Sequence, residues 1–326
     1  MVDAFLKNLT IPTVPPVETL IACIVAAVTV SFVATGGFGP FFAIVSEGIS
    51  LQTKRGFFAR AARQIAQMTL TIGMTAAVLL GSVFAWLVMD EPTLLEAPYL
   101  LPLAVTGGLI LLAMTLLAVY LIVKPRKGLA GKGHLIIGVF SGLFSALSLF
   151  CCISTVRRLL HTPPEFDPSL PWHDNLLFFF SIPPESFFRP LLLESIPLGM
   201  AFAAAFACIW LLLMRTRQDY GRDYYAFALP YCARWAAGFT FLAVCAGAFV
   251  FYESRKLMLP ELSQEPSLLL DILSAALPLL ACLIWLLVAR SAHPMRHKIS
   301  IILACVFLLI GFTGQVLMLN KIIPSP

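Results

Sequence analysis

VETLIACIVAAVTVSFVATGGFGPFFAIVSEG, residues 17–48, decides the fold: its only charges are Glu18 and Glu47, one near each end. A helix needs about 20 mostly apolar residues to cross a hydrocarbon core of roughly 30 Å, and this run exceeds that length. In lipid only helices and closed barrels satisfy their backbone groups, and the run is continuous where a barrel strand would alternate. Seven further runs of the same kind follow, at 66–89, 97–123, 134–155, 190–214, 229–252, 268–289 and 299–319. Eight crossings predict an all-α fold, a polytopic transmembrane helical bundle with both termini on one side. The chain reads as one integral membrane domain over 1–326. It divides into a first four-helix half at 17–155, an interfacial segment at 156–189 and a second four-helix half at 190–326.

Charge placement orients the bundle. The loops after runs one, three, five and seven carry Lys54, Arg55, Arg60, Arg63, Lys124, Arg126, Lys127, Lys132, Arg215, Arg217, Arg222, Arg290, Arg296 and Lys298, which is 14 of the 22 basic residues. The opposite side holds seven bases and 14 of the 17 acids, among them Asp90, Glu91, Glu96, Glu165, Asp167, Glu261 and Glu265. Short basic loops stay in the cytoplasm, so both termini are expected outside and the chain is expected in a bacterial inner (cytoplasmic) membrane as a multi-pass protein.

Composition agrees. With 60% apolar residues, 12% charged residues and a mean hydropathy of +0.91, there is too little polar surface to cover a water-soluble globule of this length. The net charge of +5 sits at membrane edges, where it meets lipid headgroups, and is no nucleic-acid signal. Residues 1–16 have one Lys, three prolines and no compact apolar core, so the first helix is expected to serve as its own insertion signal. The eight cysteines fall in or beside the apolar runs without a CxxC spacing, and read as small hydrophobes rather than as zinc ligands or disulfides. Thr35-Gly36-Gly37 recurs as Thr106-Gly107-Gly108, the mark of a duplicated two-helix unit or of small residues at helix contacts.

The segment 156–189 is rich in proline and aromatics. Pro171-Trp172-His173-Asp174-Asn175-Leu176-Leu177-Phe178-Phe179-Phe180 is too short to cross, and is expected to lie along the interface or to fold back over the bundle. It is either an aromatic belt or a lid over a quinone pocket. In the second case Trp172, His173, Arg189 and Glu194 are the cofactor-binding candidates, because a quinone ring needs an apolar slot with one or two hydrogen-bonding groups. Ionisable groups within the runs are costly and call for partners. Arg63 and Arg234 are the expected partners of Glu47, Arg157 and Arg158 are those at the level of Glu194 and Asp271, and Gln315 has none in view. No histidine among His134, His161, His173, His293 and His297 occupies a helix centre, so a buried bis-histidine haem is not supported. No metal motif, catalytic triad or phosphate-binding loop occurs, and nothing assigns an enzymatic activity.

Gly37-Phe38-Gly39-Pro40-Phe41-Phe42-Ala43-Ile44-Val45-Ser46-Glu47, followed by Arg60-Ala61-Ala62-Arg63, resembles the opening hairpin of the cytochrome bd subunit I superfamily. Phe187-Phe188-Arg189-Pro190 is similar to the approach that precedes a haem-ligating histidine there. This chain has Leu192 where that histidine would stand, three residues past the arginine, and no histidine in its first helix. The resemblance therefore implies a haem-poor relative, a quinone-interacting, anchoring or assembly subunit of a respiratory electron-transfer complex, with other subunits of that complex and the lipid bilayer as partners. The quinol-oxidising anchors of molybdoenzyme complexes are a second analogy. A small-solute transporter is the alternative, since Gly36, Gly37, Gly39 and Pro40 could break the first helix and expose backbone to a substrate. A structural membrane protein without ligand is the third.

Overall fold

A computed structural model describes residues 17–90, 92–95, 97–123, 129–161, 171–183, 186, 188–218, 220–257 and 268–322. The bases Lys124, Arg126 and Lys127 and the acids Glu91, Glu96, Glu165, Asp167, Glu261 and Glu265 lie outside the described residues. So do residues 1–16, Phe187, and the side chains of Lys132, His161 and Asp271. Among the described residues every regular element is helical: α1 (Val17–Thr53), α2 (Gly56–Asp90), α3 (Ala97–Ile122), α4 (Leu129–His161), α5 (Trp172–Phe180), α6 (Phe188–Met214), α7 (Arg222–Leu257), α8 (Leu268–Arg290) and α9 (Lys298–Ile322). All but α5 are long and apolar enough to cross a membrane, and these eight coincide with the eight apolar runs. They extend past the runs by up to ten residues because polar first and last turns continue a helix without being apolar.

Large apolar side chains such as Val78, Trp86, Leu111 and Ile299 face outward. In water such a surface would aggregate; against lipid tails it costs nothing. Small residues fill the inside instead. Ala201, Ala203, Ala204 and Ala205 on α6 and Ala233, Ala236 and Ala237 on α7 are buried, so the two backbones approach closely.

Each half closes on itself. α1 packs on α2, α2 on α3, α3 on α4 and α4 back on α1; α6 packs on α7, α7 on α8, α8 on α9 and α9 back on α6. The halves meet along α1 and α6, with α9 also resting on α1. Buried hydrogen bonds cross this seam: Ser46 Oγ and Tyr231 Oη lie 2.9 Å apart, and Tyr224 Oη donates to Gln64 Oε1 at 2.7 Å.

Two expectations change here. α1 runs unbroken through Gly36, Gly37, Gly39 and Pro40, all buried, so no opened backbone faces a solute. A Cβ on Gly36 would stand 3.2 Å from the Cα of Gly73, so that glycine serves the α1–α2 crossing. Gly107 and Gly108 have nothing within 4 Å of such a Cβ, so the two Thr-Gly-Gly triplets do different things and do not mark a shared packing unit.

Candidate functional site

Two buried polar centres stand out, one in each half. The first joins the C-terminal ends of α1 and α3 and the N-terminal end of α4. Tyr120 Oη donates to Glu47 Oε2 at 2.6 Å, His134 Nδ1 lies 2.8 Å from Glu47 Oε1, and His134 Nε2 lies 2.9 Å from the Tyr120 backbone carbonyl. All three residues are buried, and the Tyr120 and His134 rings lie 4.2 Å apart. A carbonyl can only accept, so Nε2 carries a proton. The contact at Nδ1 then requires a second proton between imidazole and carboxyl, and the pair is neutral as a whole whichever atom holds it. That arrangement avoids an uncompensated charge in the membrane.

Arg63 and Arg234 are therefore not the partners of Glu47. Among the described residues the only ion-pair contacts are His134 with Glu47 and the exposed His173 with Asp174 at 3.6 Å. Sequence distance hid the true partners, 73 and 87 residues away, although all three sit at the same end of their runs.

The second centre lies toward the N-terminal end of α6 and the C-terminal end of α9. Gln315 Nε2 donates to both oxygens of Glu194, at 2.7 Å each, and the amide's own carbonyl makes no hydrogen bond among the described residues. Glu194 is 4% exposed. The pair heads a cavity of about 360 Å³ between α6, α7, α8 and α9, whose other walls include Leu198, Val250, Pro278 and Phe312. A cavity of that size and lining, apolar with a few convergent polar atoms, is the usual form of a small-molecule pocket. Gly247 makes room for it: a Cβ there would come 2.8 Å from Glu194 Oε1. Gln315, without a partner in the sequence reading, is thus the residue that satisfies Glu194.

Arg157 and Arg158 do other work. Arg157 Nη2 donates to the Ser181 carbonyl at 2.7 Å, and Arg158 donates to the carbonyls of Phe179 at 3.2 Å and Phe178 at 2.7 Å while covering the Phe178 ring at 4.6 Å. They satisfy the free carbonyls at the C-terminus of α5, where the helix dipole favours positive charge. Residues 171–183 are held against α4 in this way. Of the four cofactor-binding candidates, Glu194 lines the cavity. Trp172 and His173 are exposed on α5, and Arg189 is exposed and donates to the Ile182 carbonyl at 3.2 Å, so the structure does not gather the four residues.

Both ring nitrogens of His134 are engaged, His173 is at the surface, and His297 Nε2 lies 3.0 Å from Ser291 Oγ in the α8–α9 loop. No cluster of metal-ligating side chains occurs among the described residues, and all eight cysteines are free thiols.

Fold and buried polar centres together define a polytopic helical membrane protein. No protein-family model and no curated protein matches the sequence. The fold, however, is similar to that of a chain in the structure of bd oxidase from Geobacillus thermodenitrificans, with a TM-score of 0.64 over 93% of this chain and 87% of that one. At 10% sequence identity the likeness is one of fold.

Proposed function

We propose that this protein is a quinone-interacting accessory subunit of a bd-oxidase-like respiratory complex in a bacterial inner membrane. The observation that carries the reading is the Glu194–Gln315 pair at the head of an apolar cavity. Glu194 and the free Gln315 carbonyl offer hydrogen-bond acceptors, which suits the hydroxyl groups of a reduced quinone. The apolar walls suit its ring and the first isoprene units. Interhelical polar contacts in membranes are worth only about 0.6 kcal/mol on average, so the pair contributes little to stability beyond satisfying the buried carboxyl. The proposed role is binding rather than oxygen reduction, a reading supported by His134, the one buried histidine among those described, having both ring nitrogens engaged.

The test is quinone extraction from protein purified at matched expression, together with a reduced-minus-oxidised optical spectrum. Wild type is expected to retain an isoprenoid quinone, and Glu194→Leu and Gln315→Leu to retain at most a tenth as much, a loss of about 1.4 kcal/mol. His173→Ala, at an exposed position, is expected to retain the wild-type amount. Equal quinone content in all four proteins overturns the reading, and a stoichiometric bis-histidine haem spectrum from the chain alone overturns the haem-poor assignment.

A further inference from the structure

A third feature lies at the cytoplasmic end of the bundle, away from the quinone cavity. Arg234 stands twelve residues into α7, about 18 Å along its axis. That position is five residues beyond the start of the apolar run at 229, yet no carboxylate lies within ion-pair distance of it among the described residues. Asp223, the acid in the first turn of α7, is exposed and makes no ion pair among the described residues. An arginine at such a depth without a partner is costly unless an anion or water meets it.

Arg290, the last residue of α8, lines the same cleft as Arg234, and it too has no ion-pair partner among the described residues. The cleft measures about 810 Å³ between the ends of α1, α2, α7 and α8. One wall is a block of interlocked rings. Phe58 meets Phe227 edge-on at 4.8 Å and Tyr231 at 5.3 Å, and Tyr231 approaches Trp235 at 6.3 Å. Phe42 braces Trp235 from behind at 5.0 Å. The cleft therefore combines two guanidinium groups, neither in an ion pair among the described residues, with a rigid apolar wall, at the end of the bundle where the basic loops lie.

We propose that this cleft holds an anionic phospholipid of the inner leaflet, its phosphate between Arg234 and Arg290 and the upper part of its acyl chains against the ring wall. Guanidinium groups match phosphate oxygens with two donors each, whereas the rings have no use for a small soluble anion. Basic pockets between helices at the cytoplasmic edge are suited to this headgroup chemistry.

Trp235 provides the probe. The full-length protein is placed in nanodiscs of phosphatidylcholine doped with phosphatidylglycerol or phosphatidylcholine brominated near the headgroup, and the Trp235 signal is the difference between wild type and Trp235→Phe. Two charges at the surface correspond to a roughly 30-fold preference for the anionic lipid. The expected result is that brominated phosphatidylglycerol quenches Trp235 at a far lower mole fraction than brominated phosphatidylcholine. Arg234→Gln with Arg290→Gln should abolish the difference, and Arg234→Lys with Arg290→Lys should keep most of it. Equal quenching by the two lipids overturns the proposal, as does a preference that survives the glutamine pair or is lost equally in the lysine pair. Inorganic phosphate is added at constant ionic strength, and a loss of the lipid preference there overturns the lipid assignment in favour of a soluble anion.

Discussion

Glu47 illustrates how a single buried acid is kept in a membrane. It accepts from Tyr120 and shares a proton with His134, so its three neighbouring polar groups are all satisfied. A glutamine can do the same: its amide donates to Nδ1 and its carbonyl accepts from Tyr120, with His134 neutral. Glu47→Gln is therefore expected to stay within about 0.5 kcal/mol of wild type. Glu47→Leu, which orphans two buried groups, should lose about 1–3 kcal/mol. The midpoint of unfolding in sodium dodecyl sulfate measures both, and a glutamine variant as unstable as the leucine variant would mean that the pair needs its charges. The acid and the histidine are visible in the sequence as polar residues at the ends of apolar runs. Their partnership is not, because which helix ends become neighbours depends on how the runs associate.

Among the elements, α5 shows what an apolar run too short to cross becomes. Asn175 and Phe179 turn inward while Trp172, Leu177 and Phe178 face out, and the chain end of the helix is held by the guanidinium groups of Arg157 and Arg158. Arg158→Ala removes two of those bonds and the stacking on Phe178; the Phe178 carbonyl keeps Ser181 Oγ at 2.7 Å, while the Phe179 carbonyl loses its side-chain donor. Hydrogen exchange at Leu177 to Ser181 is expected to accelerate by about tenfold, while exchange in the middle of α6 and α7 is unchanged. Unchanged protection across the α5 terminus would show that the arginines are not what holds it. The short length and aromatic content of this segment are legible in the sequence. The arginines' role is not, since a backbone carbonyl as partner leaves no trace in side-chain identity.

For the whole molecule, the distribution of bases makes a definite statement about orientation. A cysteine introduced at Gln52, exposed at the end of α1, is expected to react with a membrane-impermeant maleimide only after the membrane is opened. Labelling of intact cells would invert the topology, and with it the leaflet assigned to the Arg234–Arg290 cleft.

The sequence by itself determined the number, place and helical nature of the eight crossings. It also gave an expected sidedness and marked 171–180 as too short to cross. These are local properties: hydrophobic length and loop charge act on each segment separately, before any two helices meet. Only the tertiary structure decided that α1 stays continuous through Pro40, that the halves close as two four-helix rings sharing the α1–α6 seam, and that Glu47 meets His134 while Glu194 meets Gln315. Helix association in lipid has no hydrophobic drive to mark its interfaces. It rests on close backbone approach and on hydrogen bonds between residues more than 70 positions apart, which no single stretch of the chain encodes.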